Sequence, residues 1–164
     1  LLSSPDASER SPAAFVLGKL GGARSLRRLE EQLAIEEARE DYDGSSVIEV
    51  ITAALGHLKE AGSRSVLVRR FQRLLSGTPE ETDVNDLCYA LWRKRHPELI
   101  PILRSALEPF PAGHFPVLDA LLRLIETPLD KLVHWSLDPD VPLVEKTWIL
   151  ALLDEELPRD FVPV

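Results

Sequence analysis

The sequence predicts an all-α chain of stacked helical hairpins, and three observations predict it. First, residues 13–25 read AAFVLGKLGGARS and residues 53–65 read AALGHLKEAGSRS, the same phrase with a small insertion. Leu17-Gly18-Lys19-Leu20 answers Leu55-Gly56-His57-Leu58 thirty-eight positions on, and Gly22-Ala23-Arg24-Ser25-Leu26 answers Gly62-Ser63-Arg64-Ser65-Val66 forty positions on. Second, apolar residues recur at helical spacing between glycine and proline breaks, which at this period marks a helical-hairpin repeat. Third, no segment alternates with period two, so no strand is expected.

The elements follow in order. Ser3-Ser4-Pro5-Asp6 reads as a loop, with Asp6 or Ser8 capping the first helix. Ala13, Ala14, Val16, Leu17 and Leu20 form its stripe, Pro12 is placed in its first turn, and Gly21-Gly22 ends it. Leu26, Leu29, Leu33 and Ile35 carry the second helix, which fades through Glu36-Glu37-Ala38-Arg39-Glu40-Asp41 into a loop at Asp43-Gly44-Ser45-Ser46. A second unit runs from Val47, with Ile48, Ile51, Leu55 and Leu58 on its first helix and Val66, Leu67, Phe71, Leu74 and Leu75 on its second. In the third, Thr82-Asp83 caps a helix through Val84, Leu87, Cys88, Leu91 and Trp92, and Leu99, Ile102, Leu103, Ala106 and Leu107 follow with Pro101 in a first turn.

A fourth unit has Val117, Leu118, Leu121, Leu122 and Ile125 on one helix and Leu129, Leu132, Val133 and Leu137 on a shorter one. Residues from Leu143 to Leu153 open a fifth, incomplete unit that ends near Pro158. The units are thus 5–44, 45–79, 80–111, 112–138 and 139–164 of a single helical repeat domain, and the steps between Leu17, Leu55, Leu91, Leu121 and Leu152 are 38, 36, 30 and 31 residues. A hairpin of two short helices cannot bury its apolar stripe alone, so each unit needs its neighbours. Gly18 and Gly56 lie inside helices, where each costs about 1 kcal/mol against alanine, and close approach of a partner helix is the compensation expected there.

Composition narrows the function classes. The net charge of −8 argues against a chain built chiefly to coat nucleic acid or acidic lipid. The lone Cys88 cannot close an internal disulfide, no apolar run is long enough for a membrane span, and no signal-peptide pattern opens the chain, so a cytoplasmic protein is expected. The chain has no methionine and opens mid-pattern at Leu1, which reads as a fragment, a processed chain or the ordered part of something longer.

The opening residues carry a resemblance. Pro5-Asp6-Ala7, Arg10, Ala13-Ala14, Leu17-Gly18, Leu20-Gly21 and Arg24-Ser25-Leu26 resemble a short bacterial HEAT repeat of the phycobilisome-lyase-like kind. The second unit keeps Ala53, Ala54, Leu55-Gly56, Leu58 and Gly62 without the Pro-Asp opening, and later units keep only the apolar skeleton. What the resemblance implies is a right-handed α-solenoid of about four to five antiparallel helix hairpins, a HEAT/armadillo-like superhelix, with second helices lining the concave face. It also implies a scaffold or adaptor, since most proteins of this build bind partners without catalysis.

The second helices are basic, with Arg24, Arg27 and Arg28 in the first unit, Arg64, Arg69, Arg70 and Arg73 in the second and Arg104 in the third, where Arg93-Lys94-Arg95 also ends the first helix. One reading is a solvated face whose arginines pair with Glu30, Glu31 and their like. The other is a groove for an acidic peptide or a phosphate backbone, with an acidic protein partner preferred because aromatic residues for base stacking are scarce nearby. The candidate partner-binding residues are therefore Arg24, Arg28, Arg64, Arg69 and Arg73. Trp148 joins them because Val144, Trp148, Ile149 and Leu152 are expected to be partly uncovered where the last unit lacks its second helix.

The remaining constellations point to structure. The acidic run lacks the glycine and alternating oxygens of a calcium loop, and His57, His96, His114 and His134 are dispersed. The repeated His-Glu dipeptides with which HEAT-like deoxyhypusine hydroxylases hold iron are missing. Cys88 sits on an apolar stripe without a neighbouring base. The expectation is a protein without catalytic residues, metal or cofactor that binds a protein or acidic peptide. The alternatives are a nucleic-acid-binding or base-processing HEAT-like protein and a lyase-like chaperone of a pigment-bearing protein.

Overall fold

The structure, a computed structural model, describes residues 1–39 and 42–156; at Tyr42, Leu129 and Asp130 only the backbone is described. Glu40 and Asp41 of the acidic run, and the end expected near Pro158, lie outside the described residues. Among the described residues there are nine α-helices and no strand, and no helix is long and apolar enough to cross a membrane. The chain divides into two compact units, Leu1–Gly77 and Thr78–Val164.

The first unit holds α1 (Ala7–Leu20), α2 (Gly22–Glu37), α3 (Tyr42–His57) and α4 (Gly62–Leu75). Asp6 caps α1 by accepting from the Ser8 amide at 2.8 Å, and that bond holds its carboxyl below the usual carboxylate range. Gly21 and Gly22, with φ of 68° and 86°, turn the chain from α1 into α2 in the left-handed region that glycine enters without strain. Helix α1 packs on α3, and α2 packs on α1, α3 and α4, around a core that includes Ala14, Leu29, Leu33, Ile51, Leu55, Leu67 and Phe71. The close approach expected at Gly18 is present: a Cβ there would stand 2.7 Å from the Ala54 Cβ.

Two expectations about where helices begin and turn fail in this unit, and Ile35, expected on the apolar stripe of α2, is 51% exposed. Pro12 is the sixth residue of α1, inside the helix; Ser8 and Pro12 both stand on its exposed side, where one missing backbone bond is least costly. Asp43-Gly44-Ser45-Ser46 is not a loop but part of the opening of α3, which begins at Tyr42; Asp43 favours the positive end of the helix there, and Gly44 is buried.

The second unit holds α5 (Glu81–Arg93), α6 (Leu99–Leu107), α7 (Pro116–Glu126), α8 (Leu129–Leu137) and α9 (Leu143–Glu155). Thr82 and Asp83 lie within the first turn of α5, not at its cap, which is Glu80. Helix α7 packs on α5, α6 and α9, and α5 also meets α9, around Val84, Leu87, Cys88, Leu91, Leu118, Leu121 and Leu152. Trp92 is buried and its indole donates to the Glu156 carbonyl at 2.9 Å, tying the end of α9 to α5.

Candidate functional site

Helix α1 is apolar on more than one side. Gly18 faces Ala54 of α3 and Ala14 is buried, while Val16 and Leu20, expected in the core, stand 51% and 74% exposed on another side. A helix so apolar would be covered on every side in a large core, and here one side lacks a partner among the described residues. That side forms a groove of about 990 Å³. Pro12, Ala13, Val16, Leu17 and Leu20 of α1 make its floor; Gly21, Arg24, Ser25 and Arg28 make one wall; Leu1, Leu2 and Ser3 flank it, and Glu9 is also on its lining.

A buried ion pair builds this groove. Arg10 and Glu36 are both fully buried, with the Arg10 Nε 2.7 Å from one carboxylate oxygen of Glu36 and an Nη 3.1 Å from the other. The second Nη of Arg10 donates to the carbonyls of Ser4 and Pro5 at 3.0 and 2.7 Å, which anchors the segment carrying Leu1, Leu2 and Ser3. Glu36 also accepts from Gln32 at 2.5 Å and pairs with Arg39 at 3.3 Å, so its negative charge is well satisfied. One guanidinium thus sets both the spacing of α1 from α2 and the position of the flanking segment. The sequence signal was available: Arg10 falls in step with Ala14 and Leu17, and Glu36 with Leu29 and Leu33, so each is a charge on an apolar stripe.

Helix α2 is capped from the neighbouring hairpin. Gly21 has no side chain to cap it, and the Gly22 amide instead donates to the Glu60 carboxylate at 2.5 Å. Glu60 lies within the second copy of the repeated phrase, in the two-residue insertion between Leu58 and Gly62.

The structure divides the candidate arginines into different environments. Arg24 and Arg28 line the groove. Arg28 lies a loose 3.8 Å from Glu31 with both side chains well exposed, while Arg24 and Arg27 form no ion pair with a described residue. Arg69 and Arg73 are committed elsewhere: Arg69 pairs with Glu30, and Arg73 with Glu37 at 2.8 Å, crossing from α4 to α2. Arg70 is buried between Thr52 and Glu37, at 3.3 and 3.0 Å. Arg64 is half-buried on α4 and has interactions within the protein. In the second unit Arg93 pairs with Glu155, Arg95 with Glu156 at 3.4 Å and Arg104 with Glu126 at 2.6 Å. Trp148 also belongs to that unit and is half-covered, with Ile149 and Leu152 buried and Val144 51% exposed.

No family model, curated protein or solved structure matches this chain. Cys88 is fully buried, and burial pushes its thiol far above the ordinary range, so it stays protonated at neutral pH. No group of three or more His, Cys, Asp or Glu among the described residues is arranged to hold a metal ion. Asp119 is held above the usual carboxylate range by burial and then by the Glu145 charge, against a hydrogen bond from the Gly113 backbone. It lines a second cavity of about 480 Å³ with Arg123, Glu126 and Glu145, in which Arg123 already neutralises Glu145 at 3.0 Å.

Proposed function

We propose that this chain is a non-enzymatic scaffold or adaptor that binds an acidic protein segment through the α1–α2 face of its first unit. In this reading each unit is a short run of stacked hairpins, the kind from which a HEAT-like α-solenoid of four to five hairpins is built. Support for that comes from neighbour relations within the units: α1 beside α3 and α2 beside α4 in the first, α5, α7 and α9 in mutual contact in the second.

The observation that carries the binding reading is the contrast among arginines. Arg69 and Arg73 are held by glutamates of α2, whereas Arg24 forms no ion pair with a described residue and stands beside an open apolar floor. An exposed cation over an apolar groove is matched by a ligand that brings both a carboxylate and apolar area, with charge setting specificity and association rate. Charge balance also favours the first unit: it carries eleven basic and eleven acidic side chains, and the second carries eight and sixteen. The excess negative charge therefore lies outside the groove-bearing unit.

Cross-linking capture from the native source, read by mass spectrometry, tests the reading. Captured proteins are expected to be lost with Arg24→Glu/Arg28→Glu and kept with Arg69→Gln/Arg73→Gln, which spares the groove. Capture that ignores the first pair of substitutions would end the proposal.

A further inference from the structure

The shape of the groove says more about its occupant than its charge does. Resting on the binding reading above, we infer that it receives an amphipathic α-helix whose acidic flank lies over α2. Lining positions recur at helical spacing on both helices, at Ala13, Val16, Leu17 and Leu20 on α1 and at Arg24, Ser25 and Arg28 on α2, with Gly21 in the turn between them. From Ser8 to Leu20 the lining follows α1 for about 18 Å, the length of roughly twelve helical residues at the usual rise. A third helix lying along two others fills such a channel by fitting its side-chain ridges between theirs.

Backbone chemistry separates a helix from an extended peptide here. Along α1 and α2, away from their end turns, the amide and carbonyl groups are spent within each helix, and no strand lies among the described residues, so the groove has no sheet edge to pair with a strand. An extended segment would bring unpaired amides onto Val16, Leu17 and Leu20, and each one buried without a partner costs binding free energy. A helix satisfies its own main chain and offers only side chains to the floor.

Charge then fixes how the helix rolls. Arg24 and Arg28 line the α2 side, and Glu9 lies on α1. The occupant carries Asp or Glu on the flank over α2, and on the flank toward Glu9 it carries Lys, Arg or a neutral residue. Arg10 holds the helix spacing by buried bonds to Glu36 and anchors the flank at the Ser4 and Pro5 carbonyls, which reduces the ordering left to binding.

The test is selection on the full chain from a display library of random peptides about fourteen residues long, enough for roughly four helical turns. Enriched sequences are expected to place apolar residues at i, i+3, i+4 and i+7 with acids along one flank, and the synthetic peptides to gain helical circular dichroism on binding. Affinity should fall roughly tenfold or more with Val16→Glu, and again with Arg24→Glu/Arg28→Glu, as well as with added salt. Val16 and the two arginines are exposed, and an unchanged melting temperature shows that each variant is folded.

Enrichment of acidic peptides that stay extended when bound would overturn the helix while leaving the acidic-partner reading intact. Selected peptides indifferent to Val16→Glu would place the site elsewhere, and failure to enrich any sequence would equally overturn the inference. A chain that sediments as a dimer and becomes monomeric with Val16→Glu would show that a second copy fills the groove, which also refutes it. The capture experiment decides the broader reading independently of these outcomes.

Discussion

Arg10 and Glu36 are the residues on which the first hairpin turns. Taking two charges out of water is costly, and the cost is offset only when the geometry is good and every remaining donor finds an acceptor. Here the Arg10 guanidinium meets Glu36 twice and the Ser4 and Pro5 carbonyls once each. Removing one partner strands the other. Arg10→Met should therefore cost about 3–5 kcal/mol, a large share of the 5–15 kcal/mol that typically separates folded from unfolded. The double variant Arg10→Met/Glu36→Leu should regain much of that loss, because it buries neither charge. Urea unfolding of the two single variants and the double measures the coupling, and additive losses would contradict the account. The double variant should still bind groove-selected peptides more weakly, since the Ser4 and Pro5 carbonyls have lost their anchor. That readout separates positioning from stability.

At the scale of the helices, α1 and α3 touch where Gly18 lets them. Alanine at position 18 would improve helix propensity by about 1 kcal/mol, but its Cβ would fall 2.7 Å from the Ala54 Cβ and 3.0 Å from the Ala54 Cα. The second of these is backbone and cannot rotate away, so the helices must separate. A net loss of about 1–3 kcal/mol is expected, seen as a lower melting temperature. Restoring space with Ala54→Gly should recover part of it, less the cost of a second helical glycine; no recovery would mean the contact is not the cause. This contact was legible in advance because a glycine inside an apolar helical stripe asks for a close neighbour. The glycine turn after Leu20, the buried Cys88 and the helical content were legible for the same kind of local reason. The remainder depended on tertiary partners. Neither Arg10 nor Glu36 names the other from twenty-six positions away, and Glu60 gives no sign that it caps α2. The opening of α3 at Tyr42 was hidden because Asp, Gly and Ser also compose loops. Of the six candidate binding residues, Arg24 and Arg28 line the groove; Arg69 and Arg73 look the same in sequence, and only the position of α2 commits them to Glu30 and Glu37.

Across the whole molecule, the division at Gly77 has a physical basis and a consequence. Ser76 and Gly77 close α4 with backbone bonds to Gln72 and Leu74, and Pro79 cannot extend that helix. The residues before this break bury their own core, from Leu29 and Leu33 through Ile51 and Leu55 to Leu67 and Phe71, and a chain of this length can support one. They also contain every residue lining the groove. A fragment of residues 1–77 is therefore expected to be helical, to melt in one cooperative transition, and to bind groove-selected peptides within roughly threefold of the full chain, a difference below 1 kcal/mol. Circular dichroism melting and fluorescence anisotropy measure these. A non-cooperative melt would deny the first unit its independence. Cooperative folding with peptide affinity lost would show that the groove draws on residues beyond Gly77, and the neutral charge of the first unit would then no longer describe the surface its partner meets.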